Sequence, residues 1–177
     1  MGTIDNFVRY IEANPPQRTN QFRMSITRNS QRAFYCESVT VPGRSLATME
    51  RRQFGTQREF PYERLYSGDL EISLIISETG GERKYFEDWM NEIIDDDHKI
   101  ADSRQAWLGS AEIELHSPWD RNAPTPFSKL KFVEVFPKAI GTINLSMTAD
   151  DEYAVLPISL SFRSYTYEGE DGQAFGL

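Results

Sequence analysis

One cysteine, Cys36, and two histidines, His98 and His116, are all the chain offers of the side chains that carry most covalent and metal chemistry near neutral pH. A lone cysteine excludes an internal disulfide and every multi-cysteine zinc pattern. The phosphate-cradling and nucleophile motifs are missing as well: there is no G-x-x-x-x-G-K, G-x-G-x-x-G, G-x-S-x-G or H-E-x-x-H. No apolar run approaches the roughly 18 residues of a membrane span. Asp5, Asn6 and Arg9 interrupt any signal-peptide apolar region. Asn6 also stands where a myristoylation signal after Gly2 wants Ser or Thr, and no C-terminal lipid motif occurs. The chain is therefore expected to be made and kept in a cytoplasm, with no catalytic, cofactor or metal residues.

What is present suffices for one core. Ile, Leu, Val and Phe make 41 of the 177 residues, above the range of disorder and enough to dispense with a staple. Charge is unevenly placed. The net charge is −8, yet residues 1–66 carry 10 basic and 6 acidic side chains, and residues 67–177 carry 9 and 21. So acidic a chain is a poor candidate for gripping nucleic acid by its phosphates. A bipolar one suits contact between copies of itself, basic part to acidic part.

Periodicity divides the chain. Ile4, Phe7, Val8 and Ile11 predict a short amphipathic helix over 3–13, stopped by Asn14-Pro15-Pro16. Residues 1–19 thus read as an N-terminal helix and linker. Phe22, Met24 and Ile26 alternate with polar neighbours as in a half-buried strand, and a second strand covers about 33–41 before the Pro42-Gly43 turn. Leu70, Ile72, Leu74 and Ile76 give the clearest strand. A helix follows, with Thr79 and Glu82 at capping-box spacing and Tyr85, Phe86, Trp89, Met90, Ile93 and Ile94 as its apolar stripe. A short strand holds Ile113 and Leu115, and a Pro-rich loop surrounds Pro118, Pro124 and Pro126. Leu130, Phe132, Glu134 and Phe136 share one parity; Ile143, Leu145 and Met147 predict another strand, and Leu156 to Phe162 the last. Residues 169–177 read as a loose tail. The fold class is mainly β: an antiparallel barrel or curled sandwich with one central α-helix, in a single domain.

Residues 44–66 fit neither period. They combine Arg44, Arg51, Arg52, Arg58 and Arg64 with Phe54, Phe60, Tyr62 and Tyr66. So long a connection is functional or disordered, and arginines among aromatics are what protein interfaces enrich. An extended arm that contacts another molecule is one reading; a hairpin folded back on its own domain is the other. The acidic runs are plainer. Asp95, Asp96, Asp97 and His98 lack the alternate spacing of a calcium loop and read as a solvated helix end. Asp150, Asp151 and Glu152 read as an exposed turn. Cys36, on an alternating strand, reads as a small buried apolar residue.

The order of these segments resembles the tail tube protein family of contractile-tailed bacteriophages, related in fold to type VI secretion inner-tube proteins. The likeness runs over residues 20–168. It is carried by Val41-Pro42-Gly43 and the arm, PYERLYSGDLEISLIIS (61–77), RKYFEDWMNEI (83–93) and VFPKAIGTINLSMTADDEYAVLPISLSFRSYTY (135–167). Within these, Pro42 and Gly43 match the early turn, Phe86 and Trp89 the helix face, Pro137 the late strand break, and Asp150 and Asp151 the acidic turn. The resemblance implies a structural virion protein without catalytic residues. It implies hexameric rings of the chain with itself, stacked into a tube that conducts double-stranded DNA non-specifically into the host. Implied partners are the tail sheath protein, baseplate and tail-terminator proteins and a tape-measure protein in the lumen; the implied place is the virion tail, assembled in the host cytoplasm.

Elementary geometry is compatible with such a tube. Four strands from each of six subunits, ~4.8 Å apart, give a circumference near ~115 Å. Tilting them by ~40° widens the ring to a backbone diameter of ~48 Å. The remaining bore of ~35 Å passes a duplex bearing a phosphate every ~1.7 Å. Glu71 and Glu134 are the candidate lumen groups. Ring stacking is expected to use Arg51, Arg52 and Arg58 against carboxylates, with Phe54, Phe60 and Tyr62 in pockets and Asp150 and Asp151 at the contact. Competing readings are a baseplate tube initiator of the same fold, the inner tube of a type VI or other contractile injection system, and a monomeric ligand-binding β-barrel.

Overall fold

The structure, a computed structural model, describes residues 8–9, 19–28, 30–52, 55–94, 99–101, 103–116, 128–146, 153–169 and 174–175. The predicted N-terminal helix, the acidic run 95–98 and the Pro-rich loop lie almost wholly outside them.

The architecture is mainly antiparallel β. One curled sheet runs in the order β2 (Gln31–Phe34), β1 (Phe22–Thr27), β7 (Gly109–Leu115), β8 (Ser128–Ile140), β9 (Val155–Ser161), β6 (Leu70–Ile75), β3 (Cys36–Thr40). Its two edge strands are neighbours in sequence. The predicted single strand 33–41 breaks at Tyr35 and contributes one piece to each edge. Tyr35 keeps its side chain in solvent while its carbonyl accepts the Ile75 N–H at 2.9 Å. The sheet therefore curls until one covalent corner joins its ends.

Alternation builds the core. Met24, Ile26, Leu70, Ile72, Leu74, Ile113, Phe132, Leu156, Ile158 and Leu160 are buried in one cluster. Helix α1 (Gly81–Ile93) adds only Phe86 and Trp89 fully, and Tyr85 and Ile93 in part. Trp89 Nε1 donates to the Trp107 carbonyl at 2.7 Å, fixing α1 to the single turn α2 (Arg104–Trp107). The start of α1 differs from the capping-box expectation. Gly80 is the N-cap, and Glu82 reaches back to the Ser77 N–H at 3.1 Å and hydroxyl at 2.8 Å. The acid thus bonds donors two residues before Thr79, in the chain leading into the helix, and no side chain caps the helix.

The outer face of β1, β7, β8 and β10 (Ser164–Glu168) is a charge ladder. Arg23, Glu114, Lys129 and Glu168 stand side by side across the four strands. Lys129 bonds Glu114 at 2.8 Å, and Lys131 bonds Glu168 at 2.9 Å. Such opposite-charge neighbours support strand pairing.

Two departures from alternation shape the rest. After Phe132 the buried parity shifts to Val135 and Pro137, because Glu134 is an extra residue between the Ser110–Val133 and Gly109–Val135 pairs. Its φ of 55° is left-handed, the only such non-glycine among the described residues. The predicted final strand, Leu156 to Phe162, ends at Ser161, and after Phe162 and Arg163 a further strand follows, so β9 and β10 run along β8 as two pieces. Beyond the break β9 pairs with β6, and β10 pairs with β11 (Ala174–Phe175).

The predicted strand at Ile143, Leu145 and Met147 is not formed over its described part, 141–146, and Met147 lies outside the described residues. Pro157 has no N–H to extend the β8–β9 ladder; it accepts the Gly141 N–H at 2.7 Å, and the chain leaves the sheet there. A Cβ on Gly141 would lie 2.5 Å from the Pro157 ring, so only glycine allows this departure.

Candidate assembly surface

The described part of residues 44–66 forms a two-stranded sheet of its own. Strand β4 (Gly43–Arg51) pairs antiparallel with β5 (Arg58–Ser67), from Gly43 opposite Ser67 to Arg51 opposite Arg58. Every residue of β5 but Tyr66 is exposed, as is every residue of β4 but Ala47. With no buried face there is no alternation to read, which explains the weak periodicity.

The root of this hairpin is anchored on aromatics. The Arg44 guanidinium lies 4.5 Å above the Tyr165 ring and donates to the Tyr165 carbonyl at 2.7 Å. Tyr66 packs on Phe162 and Tyr165 with ring centres 5.3 and 5.4 Å apart. Those two rings in turn meet buried Phe132, each at 5.2 Å. Tyr165 also donates its hydroxyl to the Pro42 carbonyl at 3.2 Å. A chain of contacts thus runs from core to root.

Beyond the root the hairpin presents apolar side chains to water. Leu46, Met49, Phe60, Tyr62 and Leu65 are 59, 38, 48, 61 and 45% exposed. Met49 stands opposite Phe60. Tyr62 is the extra residue where the register slips, so it leaves the ladder. Natural monomers seldom expose so many large apolar groups together.

The charges at the tip are arranged against the hairpin itself. Arg51 is opposite Arg58, and Glu50 is opposite Glu59. Neighbours along a strand point to opposite faces, so one face of the tip carries two guanidiniums and the other two carboxylates. Like charges directly opposite each other destabilise a pair of strands. Glu50 accepts a bond from neutral Gln57, and Arg52 donates to the Gly55 carbonyl at 3.3 Å. None of these five makes an ion pair with another described residue.

The residues expected at the stacking contact therefore divide. Arg51, Arg58 and Phe60 share one face of the tip, Arg52 closes its turn, and Tyr62 sits apart at the bulge. Phe54, Asp150 and Asp151 lie outside the described residues. Sequence reasoning missed Glu50, Glu59, Met49, Leu46 and Leu65, which become a surface only once the hairpin register is known.

The two lumen candidates lie in different surroundings. Glu71 is exposed on the outward face of β6, in a shallow depression with Ser38, Thr40, Ser73 and Ser159. Glu134 accepts from Arg163 at 2.5 Å and from Arg104 at 3.2 Å. Hydrogen bonding to that carboxylate pushes the Arg163 pKa up.

Cys36 donates to the Ser38 and Ser73 carbonyls at 3.1 and 3.4 Å. Burial pushes its thiol pKa up to about 11, so at neutral pH it is not a ready nucleophile. No group of three His, Cys, Asp or Glu among the described residues is placed to hold a metal ion.

Comparison with known proteins agrees with this architecture. The family model described as phage tail tube protein matches residues 6–168. Among curated proteins, no sequence matches. A chain of the PVC sheath-tube complex, from an extracellular contractile injection system in its extended state, superposes with a TM-score of 0.65 at 17% identity, covering 96% of this chain and 99% of that one. A chain of the anti-feeding prophage baseplate gives 0.66 at 10% identity, over 88% and 97%. A crystal structure of an Hcp protein gives 0.52 at 9% identity, over 86% and 96%. At such identities the likeness is one of fold.

Proposed function

Because the chain belongs to the phage tail tube protein family, we propose that it assembles into six-membered rings, stacked as the inner tube of a contractile tail, through which the DNA genome passes into the host. It is a structural, non-enzymatic tube protein. The observation that carries the finer reading is the hairpin: a long two-stranded ladder with exposed apolar groups and self-opposed charges, anchored on aromatics at its root. Such a surface is completed by a neighbouring copy.

The bore is assigned to the four-stranded half β8, β9, β6 and β3. Its outward side is small and hydroxyl-bearing, with Ser38, Thr40, Ser73 and Ser159 around Glu71. Hydroxyls offer little grip to a phosphate backbone, and a ring of Glu71 carboxylates repels it, so DNA slides rather than binds. Glu134, held by Arg104 and Arg163, is not assigned to the bore. Outside, the self-compensated ladder of β1, β7, β8 and β10 is left to face the sheath. Partners on this reading are the sheath, baseplate, tail-terminator and tape-measure proteins, and the place of the protein is the virion tail.

Negative-stain electron microscopy of the concentrated protein, with native mass on the same sample, tests the proposal. Six-membered rings or hollow tubes are expected, alone or when seeded with tail baseplates. Protein that remains monomeric after seeding overturns it. A tube initiator would stop at single rings, whereas a tube subunit grows.

A further inference from the structure

The described ion pairs of this chain are matched nearly one to one. Lys129 meets Glu114, Lys131 meets Glu168, Lys138 meets Asp69, Arg83 meets Glu87 and Arg28 meets Glu92. Two other places differ from these pairs in opposite senses. At the hairpin tip, Glu50 and Glu59 face each other on the side opposite Arg51 and Arg58, and neither acid is in an ion pair with another described residue. At the corner between α2, β8 and β10, two arginines share one acid. Arg104 and Arg163 both donate to Glu134 and stay 67 and 70% exposed. They line an open depression of about 590 Å³ with Gln105 and Leu108.

We infer that this depression is the receptor for the hairpin tip of a second copy, with Arg104 and Arg163 taking the Glu50 and Glu59 carboxylates. The inference rests on the tube reading and names the partner surface within it. Its physical basis is the count of donors. A guanidinium carries five N–H groups in a fixed fork, and one shared carboxylate leaves most of them, and one net positive charge, turned to solvent. Two carboxylates crowded by cross-strand pairing supply what those forks lack, and charge-assisted pairs of this kind are the strong ones.

The depression is preformed rather than assembled on contact. Glu134 is set by the left-handed turn of its backbone, and the Arg163 N–H donates to the Val133 carbonyl at 3.0 Å beside it. Arg104 stands on α2, which Trp89 anchors. The hairpin cannot serve its own depression. Arg44 at its root is held on Tyr165, two residues from Arg163, while the tip lies roughly 23 Å further along the extended strands. Only another molecule brings the two together.

Charge reversal on separate chains tests this. Glu50→Arg with Glu59→Arg in one chain, and Arg104→Glu with Arg163→Glu in another, are each expected to abolish tubes. An equimolar mixture is expected to restore them, because each tip then meets an opposite receptor. Thermal unfolding of each chain checks that it folds. For the case in which the receptor reversal does not fold, a second variant decides: Glu59→Cys with Arg163→Cys, in a Cys36→Ser background, treated with a short bismaleimide. The expected product is a ladder of covalent oligomers in the assembled protein and none after dilution to monomer. Unchanged assembly of either reversed chain overturns the inference, as does a cysteine variant that forms tubes but no ladder. The tube reading survives both results. It fails only if the unaltered protein does not assemble when seeded, and the inference then fails with it.

Discussion

Glu134 concentrates three roles in one side chain: it interrupts the parity of β8, occupies left-handed backbone, and holds two arginines. The φ of 55° is costly for any residue with a Cβ and worst for a branched one. Glu134→Val is therefore expected to destabilise the monomer by about 1–3 kcal/mol, read by urea unfolding. Glu134→Gly should cost less, since it relieves the backbone while releasing Arg104 and Arg163. If valine and glycine behave alike, the bulge carries no strain. A second residue has a pH signature. Burial raises the Glu82 pKa, but its own backbone N–H and the Ser77 hydroxyl and N–H outweigh this and hold it below the usual carboxylate value. A group depressed in the folded state adds stability above its unfolded pKa and loses it as pH falls through the folded one. Acid titration of unfolding should therefore show a loss of stability that Glu82→Gln flattens. Cys36 gives a third test. With its thiol raised to about 11, alkylation by iodoacetamide at neutral pH should run on the order of a hundredfold slower than in the unfolded chain.

At the level of elements, the hairpin and α1 obey different rules. Helix α1 is held by two rings that fill the core, so Phe86→Ala should cost about 3–5 kcal/mol and lower the melting temperature of the monomer. No described residue of the hairpin belongs to that core; Tyr66 meets its rim through Phe162 and Tyr165. Arg51→Glu with Arg52→Glu should leave the melting temperature almost unchanged while blocking tube growth, followed by light scattering; normal growth would remove these arginines from the stacking contact. The same contrast explains what was legible in the sequence. Strands β1, β6 and β9 and the stripe of α1 each bury one face, and burial writes a period. Residues 44–66 bury none, so the hairpin register, and with it the opposition of Arg51 to Arg58 and Glu50 to Glu59, had no signal. The corner at Tyr35 was hidden because Phe34, Tyr35 and Cys36 follow one another without a Gly or Pro to mark a break. The parity shift at Glu134 was hidden because an extra residue in a strand reads as continued alternation. The end of β8 depends on Pro157 lacking an N–H, a fact about its partner strand rather than about residues 141–146.

Across the whole molecule, two electrostatic effects oppose each other in assembly, and salt separates them. Each subunit carries −8, so bringing many together is resisted by a diffuse repulsion acting over the Debye length, ~30 Å at 0.01 M salt and ~10 Å at 0.1 M. The contacts at the hairpin tip are close pairs, partly shielded from solvent once docked, and are weakened appreciably only when screening reaches ~3 Å near 1 M. Tube growth at fixed protein concentration should therefore rise from 0.01 M to about 0.1 M salt, as the repulsion is screened, and fall again towards 1 M as the pairs weaken. Light scattering across that series measures it. A monotonic rise through 1 M would mean that Met49, Phe60 and Leu65 carry the stacking by apolar contact, which concentrated salt strengthens or leaves alone. The charges at the tip would then set register between copies rather than affinity, and reversing them should misalign rings instead of separating them.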